Sequence, residues 1–186
     1  ISVAITKEFM DAVEADTSYD LRFPDVDNYS GDAKAAYDSD WMHVGDVREW
    51  EKLGFGVKTY TTIRAKELWN LINICATYSA EPGIFFIDNA NEMTNAKGYN
   101  QKVVCTNPCG EQPLAPYSVC NLAAINLANM VNKNTQEVDW KKLEQTIKTA
   151  IKMQDNVIDK TTYFLDENKK QALGERRVGL GIMGLH

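Results

Sequence analysis

The chain has 186 residues, 44% hydrophobic and 25% charged, with a formal net charge of -6. Those values are ordinary for one soluble globular domain with a sizeable core. The acidic balance argues against a DNA- or RNA-binding face or an anionic-membrane surface, although a nucleotide can still bind at a local site. No apolar run approaches the roughly 18 residues needed to cross a bilayer.

The opening residues, ISVAITKEFM, carry no basic-then-apolar signal region and no initiator Met. They read as an internal segment or a processed product of a cytoplasmic protein. The four cysteines, at 75, 105, 109 and 120, form no C-x-x-C pair, and the histidines are His43 and His186. Neither a metal site nor a secreted disulfide scaffold is expected from that pattern.

In chain order, Thr6 is a predicted N-cap for a helix to about residue 15, with Phe9, Met10 and Val13 as its apolar stripe. Residues 19–60 mix aspartates, tyrosines and tryptophans and read as a surface excursion. Short helices are expected near 31–37 and from Val47 through Trp50 and Leu53. Thr62 is the expected N-cap of a helix over about 63–79, with Leu68, Leu71, Ile72 and Cys75 on its buried face. Glu81-Pro82-Gly83 stops it. The run 84–88 then reads as a strand buried on both faces, as in a parallel sheet. Asp88 and Asn89 at its end are either turn formers or ligand-facing residues.

A polar loop is expected over 91–100, and a strand that bends near Asn121 over 118–127. Trp140, Leu143, Ile147, Ala150, Ile151, Val157 and Ile158 trace a long helix over about 138–159, and a short helix follows near 165–172. The chain closes on a strand running into Gly179, Gly181 and Gly184. Their G-x-G-x-x-G spacing is a weak dinucleotide signal without the helix and distal acid that would complete it. Strands separated by helices make the fold class α/β.

The most distinctive stretch is Asn107-Pro108-Cys109-Gly110-Glu111-Gln112-Pro113-Leu114. Pro108 disfavours a helical Asn107, so an extended backbone is expected, aiming Asn107, Cys109 and Glu111 to one side. Gly110 leaves the backbone open to close approach. On the residues alone, Cys109 is either a turn or packing cysteine or a catalytic one. No neighbouring histidine offers the base that a thiolate nucleophile normally needs.

NPCGEQPL followed by SVCNLAAINL resembles the active-site segment of the large chain of ribonucleotide reductases. The NPCGE spelling is most similar to the adenosylcobalamin-dependent class. ISVAITKEFM, GIFFIDNANE and RRVGLGIMGL extend the resemblance over nearly the whole chain. The fold it implies is a ten-stranded α/β barrel. Residues 1–186 would be a single segment of that barrel domain, with 19–60 as the surface excursion and 105–115 as the finger loop through its centre.

The resemblance also implies roles. Cys109 would carry a thiyl radical that removes the ribose 3′ hydrogen, a task that needs no thiolate base. Glu111 would be the general base for the 3′ hydroxyl, and Asn107 would hold the sugar hydroxyls. Cys120 would be redox-active and end in a disulfide with a cysteine on an earlier strand outside this chain. The implied cofactor is adenosylcobalamin and the reductant a thioredoxin-type dithiol. The implied partners are a ribonucleoside di- or triphosphate, the remainder of the reductase chain and a second copy in a homo-oligomer.

On this reading the segment alone does not turn over nucleotides. Two alternatives stand beside it: a class I large chain served by a separate radical-generating subunit, and a non-catalytic structural or interaction module.

Overall fold

The computed structural model describes all residues, 1–186, as two compact units, Ile1–Pro116 and Tyr117–His186. Both mix helix and strand, as the sequence implied. The strands form four two-stranded sheets and close no barrel. No helix is long and apolar enough to cross a membrane.

In the first unit, β1 (Ser2–Ile5) pairs in parallel with β4 (Gly83–Phe86), Ser2 opposite Gly83 and Ile5 opposite Phe86. Two helices flank this pair. α1 (Lys7–Glu14) starts where Thr6 accepts the Phe9 N–H at 3.1 Å, as its N-cap position predicts. α4 (Ala65–Ser79) runs back towards β4. Ile5, Phe9, Val13, Ala65 and Ile72 form the core between them. The buried face of α4 is thus Ala65, Leu68, Trp69 and Ile72, whereas Leu71 is exposed and Cys75 only half-buried.

Thr62 is not the cap of α4. It lies in β3 (Val57–Arg64), which pairs antiparallel with β2 (Ser18–Pro24), and its hydroxyl donates to Asp20 at 2.6 Å. VKTYTTIR is mostly exposed and lacks the apolar alternation that marks a strand, but its Thr and Tyr content suits a pleated surface.

Between β2 and β3 stand α2 (Gly31–Val44) and α3 (Val47–Lys52). The tryptophans and tyrosines of this segment build a core of their own. Trp50 is 0% exposed, stacks on Phe55 at 4.2 Å and meets Trp41 edge-on at 5.5 Å. Its indole N–H donates to the Tyr29 hydroxyl at 2.8 Å, so burial leaves no polar atom of the ring unpaired.

β4 ends at Phe86, and α5 (Ile87–Met93) follows where a strand end and a loop were expected. β4 is part-exposed rather than buried on both faces, and Phe86 is exposed.

In the second unit, β7 (Asn121–Asn126) and β8 (Val178–Met183) form a parallel pair, Asn121 opposite Val178. They are joined through α6 (Trp140–Lys160) and α7 (Asp166–Glu175). Asp139 caps α6, accepting the Lys142 N–H at 3.0 Å. The predicted stripe of α6 is only partly covered. Ile158 is buried, while Ile147, Ile151 and Val157 are substantially exposed and the buried polar residue Gln154 lies among them. Gly179 and Gly181 lie inside β8, in a strand rather than a phosphate-binding turn.

Candidate active site

The segment singled out by the sequence folds as a tight hairpin. β5 (Cys105–Thr106) and β6 (Pro113–Leu114) pair antiparallel, Cys105 opposite Leu114 and Thr106 opposite Pro113. Residues 107–112 form the loop between them. The Gly110 N–H donates to the Asn107 carbonyl at 3.1 Å, closing a four-residue turn. Asn first, Pro second and Gly fourth are the preferences of a type I turn. Gly110 has φ +84°, a conformation open to glycine at little cost.

Asn107 ties the loop twice more. Its N–H donates to the Gln112 carbonyl at 3.2 Å, and its Oδ1 accepts the Gln112 N–H at 3.0 Å. The loop is therefore a closed turn and not the extended segment expected from Pro108. Pro108 does keep Asn107 out of the helical region, but a proline at the second position also starts a turn. The rule that alternate residues share a face does not apply here. The site residues occupy one six-residue loop, with Cys109 and Glu111 exposed and Asn107 half-buried. The Asn107 oxygen is committed to the loop, which leaves its Nδ2 as the donor for another molecule. Cys105 is exposed at the base of the hairpin, where partial desolvation still pushes its thiol pKa up.

A cavity of about 420 Å³ lies beside the hairpin, lined by Ser2, Phe85, Cys105, Thr106, Asn107 and Pro108. That size is within the range of small-molecule pockets. The loop tip also approaches β1, since a Cβ placed on Gly110 would stand 3.5 Å from the Ser2 hydroxyl.

The chain leading into the hairpin is held at three successive residues. Lys102 pairs with Glu49 at 2.7 Å and Asp46 at 3.4 Å. The Asn91 carboxamide bonds both main-chain groups of Val103, each at 2.9 Å. The Val104 N–H donates to the Leu114 carbonyl at 2.9 Å. Val104 also fits against Gly45, where an added Cβ would stand 3.0 Å from its Cγ1.

Asp46 and Asp88 flank Arg48. Burial alone would raise the Asp46 pKa, but hydrogen bonds from Arg48 and the charges of Lys102 and Arg48 bring it down to about 2. Asp88 accepts two Arg48 bonds, at 2.7 and 3.0 Å, and the Lys7 N–H at 2.8 Å, and its pKa is lowered chiefly by Arg48. Asp88 therefore joins α5 to α1 and α3, from the first turn of a helix rather than from the end of a strand. The Arg48–Asp88 pair is not legible in the sequence, because the two residues lie 40 positions apart and no local pattern marks such a pair.

In the second unit, Cys120 immediately precedes β7 and is half-buried. Its Sγ lies 3.6 Å from the Asn121 carbonyl. The same carbonyl accepts from Gln154 Nε2 at 3.0 Å, and Gln154 Nε2 also reaches the Gly179 carbonyl at 2.9 Å. A cavity of about 290 Å³ opens beside Cys120, lined in part by Val157, Thr161, Tyr163, Asn168 and Arg177. Neither unit contains a cluster of three or more His, Cys, Asp or Glu arranged to hold a metal ion.

The family model for the ribonucleotide reductase barrel domain matches residues 1–186. The chain belongs to this family. Two relatives are vitamin B12-dependent ribonucleoside-diphosphate reductases. That of Thermoplasma acidophilum is 39% identical over 127 residues, covering 68% of this chain and 16% of the relative. That of Mycobacterium tuberculosis (strain CDC 1551) is 39% identical over 128 residues, covering 69% and 18%. A ribonucleoside-diphosphate reductase large chain from Cryptosporidium parvum is 34% identical over 186 residues, covering 95% of this chain and 21% of that one. The chain thus spans 16% to 21% of the length of these reductases.

Proposed function

We propose that this chain carries the radical site of a reductase converting ribonucleoside diphosphates to deoxyribonucleotides. The observation that carries the reading is the closed turn with Cys109 and Glu111 exposed and Asn107 beside them, in a chain of the reductase barrel family. The diphosphate level is supported by the names of the relatives. In the complete enzyme the chain would be one segment of a ten-stranded α/β barrel, with 19–60 on its surface and residues 105–115 as the finger loop inside. There the remaining strands would shield the loop from water.

In this reading the Cys109 sulfur, as a thiyl, takes the ribose 3′ hydrogen. The Glu111 carboxylate accepts the proton of the 3′ hydroxyl, for which an exposed carboxylate on the same turn is suited. Asn107 donates from Nδ2 to the sugar hydroxyls while its Oδ1 keeps the turn closed. Cys120 supplies reducing equivalents, later restored by a thioredoxin-type dithiol.

An exposed thiol at the tip of a turn fits a cofactor that meets the sulfur from outside the chain, and vitamin B12-dependent relatives support adenosylcobalamin. When bound, that cofactor supplies the radical that removes hydrogen from Cys109. A second reading keeps the chemistry and draws the radical from a separate metal-containing subunit. The match of the Cryptosporidium large chain over 95% of this chain favours it.

The test uses a full-length reductase carrying this segment, a ribonucleoside diphosphate and a dithiol. Deoxynucleotide formation is expected to require adenosylcobalamin and to disappear in Cys109→Ser. Formation without cobalamin but with a metal-containing subunit selects the second reading. Undiminished reduction by Cys109→Ser removes the catalytic assignment and leaves a structural module. The isolated segment of 186 residues is expected to give no turnover.

A further inference from the structure

We infer that Asn91 is a positioning residue for the Asn107–Gln112 turn, acting through the main chain of Val103; this rests on the reductase reading above. A carboxamide is the one neutral side-chain group that presents an acceptor and a donor side by side, as a peptide unit does. Asn91 uses both on a single residue. Its Oδ1 accepts the Val103 N–H at 2.9 Å and its Nδ2 donates to the Val103 carbonyl at 2.9 Å. This is the hydrogen-bonded pairing of an antiparallel strand, with one side chain standing in for the partner strand.

The placement gives the pairing its consequence. Val103 is 2% exposed, so both main-chain groups lack water and need these bonds. Val103 lies two residues before β5. The next residue, Val104, donates its N–H to the Leu114 carbonyl across the hairpin, so the first strand is fixed from one side by Asn91 and from the other by its own return strand. Asn91 sits on α5, which begins directly after β4. The position of the β1–β4 pair is thereby passed through α5 and Val103 to the turn bearing Cys109. An error of about 1 Å in such an alignment can cost roughly a hundredfold in rate.

Asn91→Ala removes both bonds. Asn91→Asp keeps the acceptor but sets a carboxylate oxygen against the Val103 carbonyl. Asn91→Ser retains a hydroxyl and serves as the milder variant. In the full-length reductase, both Ala and Asp are expected to lower kcat per folded molecule by about tenfold or more while KM for the nucleotide changes much less. Amide exchange is expected to speed up at Val103 and across residues 107–112, but not in β1 and β4, a pattern that a general loss of stability would not give.

Wild-type kcat in folded Asn91→Ala and Asn91→Asp overturns the inference. So does fast exchange of the Val103 amide in the wild-type protein, which can be measured even where the variants do not fold. If Cys109→Ser abolishes reduction and the Asn91 variants do not slow it, only this inference fails. If Cys109→Ser remains active, the reductase reading fails first.

Discussion

The two cysteine segments are held by the same device and differ in what that device leaves available. Before the Cys109 turn, the Asn91 carboxamide grips the main chain of Val103. Beside Cys120, the Gln154 carboxamide spans the carbonyls of Asn121 and Gly179 and so ties β7 to β8. The Asn91 grip lies upstream of the reactive residues and leaves Cys109 and Glu111 exposed on a turn that closes itself. The Gln154 grip falls on the carbonyl that the Cys120 sulfur also approaches, and that thiol is half-buried. In the proposed reading, the side chains that must reach a substrate are fixed through their backbone at a distance, and the thiol that has only to exchange with another sulfur is held close.

Four perturbations sharpen this contrast, and the largest acts on the platform beneath the Cys109 turn. Trp50→Ala empties the fully buried centre of the aromatic core that supports Asp46, Arg48 and Glu49. Truncations of this kind cost about 3–5 kcal/mol. Denaturant unfolding followed by amide exchange in β2 and β3 is expected to show that loss. A loss well under about 1 kcal/mol would show that the segment does not depend on its own core.

Next comes Gln154→Ala, which removes one donor from each of the Asn121 and Gly179 carbonyls, the former keeping the Cys120 thiol. At about 1–3 kcal/mol for a buried group left unpaired, a loss in that range is expected. The Cys120 thiol should also react faster with an alkylating reagent. Unchanged alkylation would separate Gln154 from Cys120.

Asp88→Asn tests the ionic tie between α5, α3 and α1, and its effect depends on pH. Asp46 and Asp88 both have folded pKa values below the ordinary carboxylate value, with Asp46 near 2. Such groups contribute stability that is fully present above about pH 4 and is lost as the pH falls through the folded values. The wild-type advantage over Asp88→Asn is therefore expected to be constant from pH 5 to 7 and to shrink as the pH falls below about 4. Acid titration of unfolding midpoints for the two proteins measures it. An advantage that grows on acidification would contradict the assignment.

The smallest effect on stability is expected from Asn107→Asp, which keeps the oxygen that accepts the Gln112 N–H and removes the Nδ2 donor. Stability should change by less than about 0.5 kcal/mol. Reduction by the full-length enzyme should still fall, because the donor assigned to the sugar is gone. Asn107→Ala should lose both stability and activity. If Asn107→Asp reduces substrate as well as the wild type, the side chain serves the turn alone.

Much of this was legible in the residues. The Thr6 cap, the Pro82-Gly83 break and the periodic apolar residues of α1 and α6 placed those helices within a few positions, because caps and periodicity are local physics. The NPCGE spelling located the loop on which the proposed chemistry rests. Its shape was misjudged, because Pro108 favours both an extended chain and the second position of a turn, and the Asn107–Gln112 bonds that decide between them are visible only in space. β3 was missed because it is exposed and carries no apolar alternation. The Asn91–Val103 and Arg48–Asp88 pairings were missed for a different reason: their partners lie 12 and 40 residues apart, with no local pattern to mark them.

The central claim is that one turn presents sulfur, carboxylate and amide to a single ribose. Its most direct test is a crystal structure of a full-length reductase carrying this segment with a ribonucleoside diphosphate bound. The predicted result is Cys109 Sγ within about 3.5 Å of the ribose 3′ carbon, the near-attack distance, with Glu111 and Asn107 Nδ2 on the sugar hydroxyls. A nucleotide bound elsewhere, with Cys109 out of reach of its sugar, would contradict the account.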